Sequence, residues 1–138
     1  MNGDGMEALK AVPLFAGLSD KDLKRVLDVS KEVRHEDGHV VLAEDATAVG
    51  FHMILEGQAT INVHGTDVAT YGPGDYFGEM SIIDGKPRSA TVTAKGDLTT
   101  LAIPAWDVER MMQTHPSIMR ALLIALSSRI REIDAQRA

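Results

Sequence analysis

The sequence predicts a mainly β domain with flanking helices (α+β): an eight-stranded antiparallel β-roll or jelly-roll barrel with N-terminal helices and two C-terminal helices. Three observations lead there. Between residues 33 and 103, short β-branched and aromatic runs alternate with glycine-containing turns. Helical spacing of apolar residues is confined to the two ends of the chain. At 138 residues with 44% hydrophobic content, the chain suits one domain around one core. The expected organisation is a single domain over 1–138, with a helical segment at 1–30, the β-roll at 31–103 and helices at 104–138.

Residues 19–29 open on Ser19, an N-cap residue type, followed by Asp20 and Asp22 in the first turn and by Leu23, Val26 and Leu27 at helical spacing. This predicts an amphipathic helix. The runs 39–43, 51–55, 59–63 and 68–71 follow, divided by Asp37-Gly38, Glu56-Gly57, Gly65-Thr66 and Gly72-Pro73-Gly74, which read as turns between antiparallel strands. Two further runs, 89–94 and 98–103, are joined by Lys95-Gly96-Asp97. About eight short strands in succession favour a Greek-key or jelly-roll barrel over a parallel sheet. Pro104 suits the first position of a helix that stops near His115-Pro116. A longer helix over about 117–137 carries Ile118, Leu122, Leu126, Ile130 and Ile133 as one apolar stripe.

Composition removes several function classes. There is no cysteine, so a disulfide framework, a thiolate zinc site and a cysteine nucleophile are all excluded. No apolar run approaches the roughly 20 residues of a membrane span, and the N-terminus has no charged-then-apolar leader pattern. The expectation is a cytoplasmic protein without a membrane partner. A net charge of −6 and a pI near 5.3 disfavour a surface that tracks nucleic-acid phosphates. Arg120, Arg129, Arg131 and Arg137 are interleaved with Glu132 and Asp134, the pattern of a solvated face, so no direct DNA binding is expected. No Gly-x-Ser-x-Gly elbow, Walker loop or dinucleotide fingerprint is present. A metal enzyme built on His35, His39 and Glu44 is a weak alternative, because paired ligands on a strand need a spacing of two, not four. His52 and His64 sit singly in expected strands.

The segment 77–92 carries the strongest chemical signal. Gly78-Glu79 stands at the expected opening of a short helix, and Arg88 follows nine residues after the glutamate. Gly78 lets a ligand approach the backbone, and the amides after it can point at an anion as the unpaired donors of a first helical turn. Arg88 offers a planar fork that makes two parallel hydrogen bonds to phosphate oxygens. Glu79 would repel a phosphate but accepts a proton from a sugar hydroxyl. Taken singly these residues have ordinary structural readings, as a dipole-favouring acid, a surface charge and a strand serine. The ordered set fits a ribose and a phosphate.

That set resembles the phosphate-binding cassette of the cyclic nucleotide-binding domain family. Its pattern is Phe-Gly-Glu, a small residue two places on, two aliphatics, a short loop, then Arg, a small residue, Ala and a β-branched pair. Phe77, Gly78, Glu79, Ser81, Ile82, Ile83, Arg88, Ser89, Ala90, Thr91 and Val92 fill every position. The resemblance implies that Glu79 accepts the ribose 2′-hydroxyl, that Arg88 neutralises the cyclic phosphate and that Ser89 adds a bond to it. The amides of Gly78, Glu79, Met80 and Ser81 would close the cradle. Serine after the arginine is the commoner companion of adenine, which gives cyclic AMP as the ligand, with cyclic GMP left open.

In the family the base is capped from the last helix. An ungapped alignment from Arg88 sets Ile133 and Asp134 opposite the base-contacting threonine and serine of a family member. The chain departs from the family there; Ile133 would cover the ring and Asp134 would accept from an adenine amino group. The apolar stripe has several readings: packing on the chain's own barrel, a lid over the base, or a homodimer seam. The resemblance implies no catalysis and a regulatory or sensor role, with binding transmitted by movement of the C-terminal helix to an unknown effector protein. A silent pocket in an interaction module is the other reading of the same fold. If Glu79 holds the 2′-hydroxyl, a 2′-deoxy cyclic nucleotide will bind more weakly by roughly 1–3 kcal/mol. Competition titration measures this, and equal binding of the two removes the Glu79 assignment.

Overall fold

The computed structural model describes residues 2–42, 50–78, 83, 86 and 90–137. Two long strands organise it: β3 (Phe51–Val63) and β6 (Thr91–Ile103), which run antiparallel with Phe51 opposite Ile103 and Asn62 opposite Thr91. Four shorter strands complete one antiparallel sheet. β1 (Lys31–His35) and β2 (Val40–Leu42) pair with successive stretches of β6, while β4 (Thr66–Tyr71) and β5 (Tyr76–Phe77) pair with successive stretches of β3.

Six strands are therefore described where the sequence predicts eight. The difference lies at Glu56-Gly57 and Lys95-Gly96-Asp97, which are bends inside continuous strands, not reversals. Gly57 has φ +88° and Gly96 φ +76°, and the β3–β6 register shifts on both sides of Glu56. A glycine in this region lets one strand carry an extra residue and curl, where any other residue would be strained. At Gly57 the requirement is doubled, because a β-carbon there would run into the backbone carbonyl oxygen of Asp97.

The β3–β4 connection also falls one residue earlier than predicted. His64 (φ +51°) and Gly65 (φ +85°) are its two central residues, so His64 is in a turn and not in a strand. Two consecutive positive φ values suit the right-handed twist of a two-residue hairpin. Asn62 secures the turn by accepting from the Gly65 amide at 3.0 Å and donating to Asp67 at 2.9 Å.

Helices cover one side of the sheet. α1 (Asn2–Ala11) leads through a 3₁₀ turn (Pro13–Phe15) to α2 (Asp20–Val29), which opens as predicted, with the Ser19 hydroxyl accepting from the Asp22 amide at 3.2 Å. α3 (Ala105–Thr114) starts one residue later than Pro104 suggests: the proline is its N-cap, with ψ 145° still extended. α4 (Pro116–Arg137) is the long C-terminal helix. Trp106, the sole tryptophan in the sequence, stands 67% exposed on α3. No helix among the described residues is long and apolar enough to cross a membrane.

Alternation along β3 and β6 divides the buried residues between two cores. Phe51, Met53, Leu101 and Ile103 face the helices and pack with Leu9, Phe15, Val26, Ile118 and Leu122. That is the outer core; Ile54, Ala59, Ile61, Val92, Ala94 and Leu98 belong to the second, inner core, which closes with Leu42 and Phe77. Successive strand residues point to opposite faces, so one pair of strands supplies both. Replacing Gly57 with alanine is expected to destabilise the domain by on the order of 1–3 kcal/mol through backbone strain alone, and by more if the Asp97 carbonyl cannot retreat. Urea denaturation measures this; a variant of unchanged stability would mean the strands can bend without it.

Candidate functional site

The predicted site segment is held at both ends by the inner core. Phe77 closes β5, is 5% exposed, and pairs with His52 of β3. The two rings stack at 5.2 Å with an interplanar angle of 9°. Directly after it, Gly78 has φ +97°, a conformation that glycine adopts without strain. At the far end Ala90 is half-buried and Val92 is 2% exposed within β6. Glu79, Met80, Ser81, Arg88 and Ser89, the residues given the ligand contacts, lie outside the described residues.

Ile83, inside the same segment, reaches the helical side. It lines a narrow apolar cavity with Phe15, Phe51, Met112, Ile118 and Leu122. It also borders an open groove between α3 and α4 that Met119, Leu123 and Leu126 continue. The segment therefore joins the inner core through Phe77, while Ile83, 47% exposed, borders the apolar space beside the outer core.

The stripe on α4 does not behave as one surface. Ile118 and Leu122 are buried, Leu126 is half-buried, and Ile130 and Ile133 are 59% and 48% exposed. Asp134 is exposed as well. The distal half approaches the sheet at Arg129, whose guanidinium lies 6.0 Å from the centre of the Tyr71 ring on β4, a cation–π distance. At the proximal end, His115 sits between α3 and α4 and faces Asp22 of α2, Nε2 to Oδ2 at 3.2 Å. The Ser19 hydroxyl, which donates to the same carboxylate, holds the Asp22 pKa below its ordinary value, with smaller help from His115 and Arg25 against partial desolvation. The N-terminal helices are thus tied to the α3–α4 junction.

The histidines come together in a way their spacing does not suggest. His35 and His39 stack at 5.3 Å, and His35 lies 6.5 Å from His52. Between them is Thr100 of β6, fully buried, with its hydroxyl 3.2 Å from His35 Nε2 and 3.3 Å from His52 Nδ1. No group of three metal-ligating residues is assembled among the described residues, and Glu44 lies outside them. Sequence reasoning missed this cluster and the position of Ile83. Thr100 is hidden in a β-branched run, and only strand register brings residues 35, 52 and 100 side by side.

Residues 32–115 match the sequence profile of the cyclic nucleotide-binding domain. The chain belongs to that family. Among curated relatives it is 29% identical over 114 residues to a cAMP-dependent protein kinase regulatory subunit from Aspergillus niger, an alignment covering 81% of this chain and 28% of that one. The chain thus matches little more than a quarter of the relative's length. Among solved structures it resembles the Thermus thermophilus catabolite activator protein at 27% identity and a TM-score of 0.79, covering 90% of this chain and 61% of that one. The regulatory domain of Toxoplasma gondii PKA, solved with cAMP, is 25% identical with a TM-score of 0.80, covering 91% and 49%. The kinase subunit and the Toxoplasma domain are regulatory by name, and this chain shares with them the cyclic nucleotide-binding domain.

Because burial ends between Leu122 and Ile130, alanine at the two positions should have unequal effects. Leu122→Ala is expected to cost about 2–5 kcal/mol, and Ile130→Ala to stay within about 0.5 kcal/mol. Chemical denaturation of both variants checks this. Equal losses would mean that the distal stripe is covered in solution.

Proposed function

We propose that this domain is a cytoplasmic sensor of cyclic AMP, whose binding is transmitted by displacement of α4. The observation that carries the reading is the segment 77–92, which lies inside the matched region and keeps the glutamate, arginine and serine of the ligand-binding pattern in order. The single-domain organisation over 1–138 belongs to the same reading. Glu79 takes the ribose 2′-hydroxyl, Arg88 and Ser89 take the cyclic phosphate, and the amides from Gly78 to Ser81 complete the cradle. Support for adenine comes from Ser89 and from relatives named for cAMP. Ile133 and Asp134 reach the base only when the distal half of α4 folds over it. Their present exposure leaves them available for that motion.

A ligand moves a conformational equilibrium only as far as its affinities for the two states differ. Ile83 supplies a physical route for that difference. It belongs to the ligand-holding segment, yet it borders the apolar space between α3 and α4. Tightening the segment around a phosphate draws Ile83 with it and changes the packing at the root of α4. An effector protein, or a second copy pairing through Ile130 and Ile133, would read the outcome.

Isothermal titration with cyclic AMP, cyclic GMP and the linear monophosphates tests the proposal. Cyclic AMP is expected to bind most tightly and the linear forms least. Arg88→Glu should weaken binding by more than about 100-fold, since two charge-assisted hydrogen bonds of about 1.5–3 kcal/mol each are removed. Undiminished affinity in that variant, or tighter binding of cyclic GMP, overturns the phosphate contact or the choice of base respectively.

A further inference from the structure

We propose that Thr100, His35 and His52 form a positioning relay that fixes Phe77 and the Gly78 turn, and that the relay makes nucleotide affinity fall on acidification. The affinity part rests on the cyclic nucleotide reading above. The positioning part rests on geometry alone.

A threonine hydroxyl has one proton to donate and two lone pairs. With two imidazole nitrogens at 3.2 and 3.3 Å, it satisfies both neutral rings in one arrangement: one ring accepts the hydroxyl proton and the other donates its N–H to the oxygen. The proposal takes His35 Nε2 as the acceptor of the hydroxyl proton and His52 Nδ1 as the donor to the oxygen, so that His35 is the ring whose protonation breaks the arrangement. The nitrogens lock each other's tautomers through a side chain that is fully buried. His52 is thereby set in angle, and its ring lies nearly parallel to Phe77 at 5.2 Å, with Gly78 the next residue.

Protonation breaks the arrangement. When His35 gains a proton, both nitrogens become donors to the hydroxyl oxygen, and the fully buried hydroxyl proton is left without its acceptor. The groups around the relay do not favour a charge there. His39 stacks on His35 from the β1–β2 turn. In the same turn Glu36 and Asp37 are exposed, and Asp37 is occupied by the Gly96 amide at 2.7 Å. β6 and β3 bring Thr100 and His52, and β5 brings Phe77, none of them a carboxylate. Burial, and then the charge of His39, hold the His35 pKa below its ordinary 6.5. A histidine whose folded pKa is lowered stabilises the fold fully above the unfolded value, and that contribution is lost as pH falls from about 6.5 toward the folded value.

The test follows the Gly78 amide and the Phe77 ring resonances of the unliganded protein by NMR from pH 8 to pH 5. In wild type and in Thr100→Ser, which keeps the hydroxyl, both should move with the titration of a relay imidazole. In Thr100→Val and in His35→Gln, which folds without a titrating ring at 35, the movement should vanish. A Gly78 amide that is flat in wild type, or that still titrates in both variants, overturns the relay whether or not any nucleotide binds. Titrating cyclic AMP at pH 7.5 and 5.5 then reads the affinity. A loss of about threefold is expected in wild type, and little in His35→Gln. Equal pH dependence in the two proteins overturns the link to affinity. Absence of cyclic AMP binding at pH 7.5 overturns the proposed function, and leaves the Gly78 result as a structural finding.

Discussion

Everything in this domain is hung on the antiparallel pairing of β3 with β6. Thirteen residues on each strand face two ways, and each face buries its own core: the helices on one side, the interior of the roll on the other. The pairing survives two bends only because glycine stands where the backbone must take positive φ, and at Gly57 because no β-carbon is there to meet Asp97. The ends of the segment 77–92 are fastened to these same strands, through Phe77 across β3 and through Val92 within β6.

The helical side has a different mechanical character. α4 begins well packed, with Ile118 and Leu122 in the outer core, and finishes with two isoleucines in solvent. Its root is tied to α2 through His115 and Asp22, and its far half brings Arg129 over Tyr71 of the sheet. Burial at one end and exposure of Ile130 and Ile133 at the other suit such a helix to pivoting about its root. Ile83 stands beside the pivot.

Much of this was legible in the sequence because local chemistry decided it. The Ser19 cap, the helix over 20–29, the class of the fold and the ordered residues of the segment 77–92 all follow from short-range patterns. What was not legible depends on partners far apart in the chain. A positive-φ glycine reads as a turn whether the chain reverses or merely curls, so the sequence reads as hairpins two bends that lie inside continuous strands, and six strands are found among the described residues. Periodicity marks a helix face as apolar but cannot tell whether another element is there to cover it, and so Ile130 and Ile133 were grouped with Ile118. The meeting of His35, His52 and Thr100 is a matter of register between three strands.

Trp106 gives the molecule a property beyond its stability. A lone indole in water on α3, the helix next to the pivot, emits as a solvated chromophore. Because Trp106 is the sole tryptophan in the sequence, the intrinsic fluorescence of the unlabelled protein reports on the surroundings of that one ring.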